Sequence, residues 1–111
     1  MLEKDVVKSI RKALDKHYPG FYFKTHGGPF QRAGLPDIMG VHQGRFIGIE
    51  VKRPGKKHNE SSIQEYVRNR ISLAGGIAFV ATSQEEVINK LKEVFANGKS
   101  RKKRSNKGTA T

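Results

Sequence analysis

Apolar and polar residues alternate along this chain in two different rhythms. Over residues 2–17 the apolar positions Leu2, Val6, Ile10, Ala13 and Leu14 recur at helical spacing and stop at Pro19-Gly20, which predicts a first helix. FYFKTH, 21–26, is short and aromatic, a strand by content and length. GGPFQRAGLP, 27–36, is a glycine- and proline-rich loop. DIMGVH and RFIGIEVK flank Gln43-Gly44, and their alternation predicts a β-hairpin over 37–52. RPGKKHNE is a basic loop. A helix over 62–74 follows a serine-rich start and ends at Gly75-Gly76, and IAFVAT, 77–82, reads as a short buried strand. Ser83 and Glu86 form a capping box for a last helix with apolar positions Val87, Ile88, Leu91, Val94 and Phe95. The order αβββαβα predicts a small α/β domain, with a mixed central sheet flanked by helices and the hairpin at its middle.

Composition narrows the picture. A chain of 111 residues supports one domain with a modest core. NGKSRKKRSNKGTAT, 97–111, has six Lys and Arg and no acid, and it predicts a disordered basic tail beyond a domain at 1–96. The formal charge is +12; the tail carries six of the positive charges, so the domain itself remains at +6. Such an excess points to a polyanionic partner, nucleic acid before an anionic membrane surface. Cysteine is absent, which excludes disulfides, thiolate metal sites and cysteine nucleophiles. No apolar stretch approaches the roughly 20 residues of a membrane span, and the amphipathic, acid-containing start resembles no targeting peptide. These features predict a soluble, cytoplasmic, DNA-associated protein.

Two carboxylates stand where the pattern is apolar. With a two-residue turn at Gln43-Gly44, His42 faces Arg45 and Asp37 faces Glu50, where like charges repel at about 5 Å between Cβ atoms. Alternation puts Glu50 and Lys52 on one face with Phe46 and Gly48, and sends Ile47, Ile49 and Val51 to the core face. In the first helix Glu3 falls inside an apolar arc of roughly 140°, which aims a third acid at the sheet. Singly, each has an ordinary explanation: Lys52 pairs with Glu50, Asp37 caps the Gly34-Leu35-Pro36 turn, and Glu3 favours a helix N-terminus. Three acids and a lysine on one face favour a metal seat, since a buried carboxylate must be paired or neutralised. Oxygen-only ligands suit Mg²⁺ or Mn²⁺. In a basic protein, such a seat points to phosphodiester chemistry.

Pro36-Asp37 followed thirteen residues later by Glu50-Val51-Lys52 matches the PD-(D/E)xK nuclease pattern. The surrounding text, KTHGGPFQRAGLPDIMG, GRFIGIEVKRPG, SSIQ and a helix ending AGG before a strand, resembles the stand-alone VRR-NUC (virus-type replication-repair nuclease) family over about residues 1–92. The resemblance implies a restriction-endonuclease-like core. It implies Asp37 and Glu50 as metal-binding carboxylates, the Val51 carbonyl as a further ligand, and Glu3 as an acid assisting the metal, often through water. Lys52 would orient or activate the attacking water, and Gln64 would join the site from the start of the following helix. It further implies a homodimer cleaving branched DNA, such as four-way (Holliday) junctions, with Mg²⁺ or Mn²⁺. From the residues alone, Lys52 suits charge stabilisation and water positioning rather than general-base work. Gln64 is explained by capping alone, as Ser61 and Gln64 form one capping box and Ser62 and Glu65 another.

Arg32, in the glycine-rich loop before Asp37, and Arg53, Lys56 and Lys57, in the basic loop after it, are candidate phosphate contacts. His17 and His58 lack a partner histidine at metal spacing, and His26 and His42 have no assigned role. Tyr66 and Phe30 read as core before base-stacking residues. Arg70 sits in the middle of an apolar arc (Ile63, Tyr66, Val67, Ile71, Leu73, Ala74), which leaves a snorkelling stem, a dimer contact and a DNA contact open. Two rivals remain: a nuclease acting on flaps, linear duplex or RNA, and a non-catalytic basic DNA-binding module.

Overall fold

The computed structural model describes the backbone of residues 2–109 and the side chains of residues 2–96. Seven elements follow in the expected order: α1 (Glu3–His17), β1 (Phe21–Lys24), β2 (Ile38–His42), β3 (Arg45–Val51), α2 (Ser62–Leu73), β4 (Ile77–Ala81) and α3 (Gln84–Thr109). The disordered tail expected over 97–111 falls outside the residues whose side chains are described.

The strands form one mixed sheet in the order β1-β2-β3-β4. β1, β2 and β3 run antiparallel, and β4 pairs parallel to β3 through the α2 crossover. The β2–β3 turn is the two-residue one, with His42 paired to Arg45. Its central residues both have positive φ, +48° at Gln43 and +80° at Gly44, the twist that a tight hairpin requires.

One face of the sheet holds the core. Ile38, Ile47, Ile49, Val51, Ile77 and Ala81 pack there against Val6, Val7, Ile10 and Leu14 of α1 and Val87 and Leu91 of α3. Burying each such aliphatic side chain stabilises the fold by about 1.5–3 kcal/mol, so this face dominates folding. His42 ends β2 on the same side. It is buried edge-on against Tyr18 and Phe95, with Nδ1 2.8 Å from the Pro19 carbonyl, which makes it a structural residue.

The opposite face is covered unevenly. α2 lies over β3 and β4, with Val67 as its one buried side chain. Ser61 accepts the Gln64 N–H at 3.2 Å while the Gln64 side chain accepts the Ser61 N–H at 2.9 Å, so the helix uses this capping box and not the one at Ser62 and Glu65. At α3 half of the expected box forms, with the Glu86 N–H donated to Ser83 Oγ at 3.2 Å. The Glu86 carboxylate accepts from Thr82 N–H at 2.6 Å and from Lys57 Nζ at 3.3 Å.

Candidate functional site

Strand pairing brings the two odd acids together. One rung beyond the last pair, Ile38 and Ile49, Asp37 stands opposite Glu50 on the face that carries α2. In that continued register Val51 faces Pro36, and the Val51 N–H needs another acceptor. Asp37 Oδ2 supplies it at 2.7 Å, so the acid closes the end of the hairpin and does not cap the Gly34-Leu35-Pro36 turn.

Glu50 is only 2% exposed, in mid-sheet, between Asp37 and Val80. Burial first, and then the Asp37 charge within hydrogen-bond reach, push its carboxyl from 4.5 up to about 8, against an opposing pull from Lys52. Two acids therefore share a space in which only one holds its charge easily.

Gln64 organises the rest. Its Nε2 donates to Glu50 Oε1 at 2.8 Å, and its Oε1 accepts from Lys52 Nζ at 3.2 Å and from the Ser61 N–H at 2.9 Å. The residue that caps α2 thus also ties the acid to the lysine. Lys52 reaches Gln64 and makes no direct ion pair with Glu50 within 4 Å. Among the described residues, every buried side-chain nitrogen and oxygen has a partner.

Glu3 does not join the group. It is exposed in the first turn of α1, one turn before the first fully buried residue, Val6. Helical spacing puts Glu3 in line with the core residues, whereas the first turn of α1 runs past the core. α1 also packs on the sheet face opposite to Glu50, so Glu3 starts from the wrong side. Among the described residues no group of three or more His, Cys, Asp and Glu is placed to hold a metal ion. Of the three acids expected to converge, two meet.

Asp37 and Glu50 nonetheless fit a hard cation by their chemistry. Both are oxygen donors, their mutual repulsion is what a cation relieves, and Mg²⁺ commonly takes one or two carboxylates while keeping water ligands. Val51, which ends β3, adds a backbone carbonyl one residue after Glu50.

Arg32, Arg53, Lys56 and Lys57 are all exposed in the loops beside the site. Lys57 is paired with Glu86. Phe30 is not core: it is 99% exposed in its loop, and Tyr66 is half exposed on α2.

Glu60 and Arg68 escaped the sequence reading. Arg68 grips Glu60 with two hydrogen bonds, Nε to Oε2 at 2.9 Å and Nη2 to Oε1 at 3.0 Å, and the Glu60 charge adds to the upward pressure on Glu50. The pair ties the residue before Ser61 to the second turn of α2, steadying the end that presents Gln64. Helical spacing gives no warning of it, because Glu60 precedes the helix. No family model matches the chain, and no curated protein matches it.

Proposed function

We propose that the chain is a divalent-metal-dependent endonuclease with a PD-(D/E)xK core of the VRR-NUC kind, hydrolysing DNA phosphodiesters as a homodimer. Branched DNA, such as a four-way junction, is its substrate. The observation that carries this reading is the Asp37–Glu50 pair, two acids held together at one end of a hairpin in a chain of charge +12. A bound Mg²⁺ or Mn²⁺ supplies Lewis acidity and lowers the pKa of its water.

The chain's own residues have separable tasks. Asp37 and Glu50 hold the cation, with the Val51 carbonyl beside them. Gln64 fixes the Glu50 carboxylate and the Lys52 ammonium relative to each other through one amide. Lys52 positions the attacking water and stabilises charge growing on the phosphoryl oxygens. Arg32, Arg53 and Lys56 are exposed for phosphate contacts, which positions the backbone without reading base sequence.

The test is cleavage of a labelled four-way junction by wild type and Asp37→Asn, with Mg²⁺, with Mn²⁺ or with EDTA. Wild type cuts only with metal, and the variant binds without cutting. Flap, linear duplex and RNA substrates in the same buffer establish which is preferred. One observation favours the rival of a non-catalytic DNA-binding module: the polar network closes on itself, with each buried side-chain polar atom partnered among the described residues. Binding with no cleavage of any substrate in either metal would select that rival.

A further inference from the structure

One phenylalanine has no place in the core and no neighbour on the surface. Phe30 is 99% exposed. The other exposed rings have company. Phe21 and Phe23 lie 6.1 Å apart on β1, on the half of the site face that α2 leaves bare, and Tyr66 has the Arg70 guanidinium 6.0 Å over its ring.

What singles out Phe30 is the turn that carries it. The Gln31 N–H donates to the Gly28 carbonyl at 3.1 Å, which makes residues 28–31 a β-turn with Pro29 and Phe30 at its two corners. Proline presets the backbone angle at the first corner, so the tip is ordered before it meets anything. The turn stands on a fixed foot. The Thr25 N–H donates to the Asp37 carbonyl at 2.9 Å and the Thr25 hydroxyl to the Pro36 carbonyl at 2.9 Å, so the loop leaves and re-enters the sheet on the rung of Asp37 and Glu50. On its way back it passes Ile63 of α2 at Gly34, where φ is +81° and a Cβ would come within 2.8 Å, and Pro36 packs over Gly48 on the site face. Phe30 is five residues on from Thr25, a reach of at most about 17 Å, or about five nucleotides of a stacked strand. Arg32, exposed two residues after Phe30, adds a cation to the same loop, and the charge of +12 over the chain makes nucleic acid the partner the loop meets.

We propose that Phe30 is a specificity-determining residue that stacks on a base left open at a break in the helical stack, such as the centre of a branch, and so sets the bound strand against the acid pair. The inference rests on the nuclease reading for the strand's destination and names the feature of the substrate that is recognised. Stacking on an aromatic ring is worth about ten- to hundredfold in affinity, and it accepts any base because each has a flat π face. Within a continuous duplex the same contact first requires a step to be opened, which costs about as much again, whereas a branch presents bases that unstack readily. One exposed ring thus favours branched over linear DNA without reading sequence, while Arg32 holds the neighbouring phosphate.

The test is fluorescence anisotropy of the full chain in EDTA, with a labelled four-way junction and a linear duplex of the same arm sequence, so that binding is read apart from cleavage. Wild type prefers the junction. Phe30→Ala weakens junction binding at least about tenfold and changes duplex binding less than about twofold. Phe30→Tyr keeps the preference because it keeps a flat ring, whereas Phe30→Leu, apolar without one, loses it. A 2-aminopurine at the branch changes its emission on binding wild type and not on binding Phe30→Ala; the same probe in mid-arm responds to neither. Circular dichroism confirms that each variant is folded. Equal affinity of wild type for junction and duplex overturns the proposal, as does a preference that Phe30→Ala or Phe30→Leu keeps in full, or a loss of the same size on both substrates. If the expected results hold with no cleavage in Mg²⁺ or Mn²⁺, Phe30 stands as the branch contact and only the nuclease reading fails.

Discussion

The two ends of one sheet face invert the usual rule of burial. At one end, Glu50 is buried under α2 with a half-buried Asp37 beside it; at the other, phenylalanines are exposed. Folding alone explains neither end, since a buried carboxylate and an exposed aromatic row both oppose stability. The core on the other face absorbs these costs. The difference is one of chemistry: the polar end offers oxygen donors that suit a small, hard cation, and the apolar end leaves aromatic surface open to solvent. Hydrogen bonds satisfy the polar end: the Val51 N–H donates to Asp37, and Gln64 donates to Glu50 and accepts from Lys52.

The largest expected effect falls on the polar end. Lys52→Ala should lower the cleavage rate about 10²–10³-fold, the cost of losing a group aimed at developing charge, with junction binding in a gel shift little changed. Full activity in that variant would leave the polar end with no catalytic lysine. Gln64→Ala comes next, at about 10–100-fold, because it acts through Glu50 and Lys52. If Gln64 serves only as a cap, the variant would lose stability and keep its rate per folded molecule. Comparing Gln64→Ala with Ser61→Ala separates the two roles, since Ser61 caps α2 without touching Glu50.

Acidity separates the two ends again. Glu50 binds its proton more tightly folded, up to about 8, than its ordinary value of 4.5. Between those values the folded state holds more protons than the unfolded state, so stability must fall as pH rises. We expect the melting temperature of the metal-free protein to drop on the order of 5–10 °C from pH 5 to pH 8. Glu50→Gln, which cannot ionise, should flatten that slope. A wild-type melting temperature that rises over this range would contradict a buried Glu50 held against the Asp37 charge. The smallest effect belongs to Phe30: with 99% exposure, Phe30→Ser should change stability by less than about 0.5 kcal/mol in a denaturant titration.

Much of the polar end was legible in the sequence. The Gln43-Gly44 turn sets the register, and that register alone puts Asp37 opposite Glu50. Ser61 and Gln64 were visible as a capping box, but the link from Gln64 to Glu50 depends on where α2 crosses the sheet, which spacing along a helix does not encode. The same gap explains the other differences. Glu3 lies at helical spacing with the core residues, yet its turn overhangs the core. Arg70 lies in an apolar arc, yet that arc borders the bare half of the sheet. Phe21, Phe23 and Phe30 look like core by residue type, and only the narrow cover given by α2 leaves the two strand residues exposed. Glu60 and Arg68 meet across a helix start, where no period applies.

The central claim is that Asp37 and Glu50 form a cation seat. It is tested most directly by Mn²⁺ binding at pH 8, followed by electron paramagnetic resonance, with wild type and Asp37→Asn and without DNA. Saturable binding to wild type that Asp37→Asn loses, with a melting temperature raised by Mn²⁺ in wild type alone, is the predicted result. Equal binding to both proteins, or none to either, would contradict it and leave the two acids as part of a closed structural network.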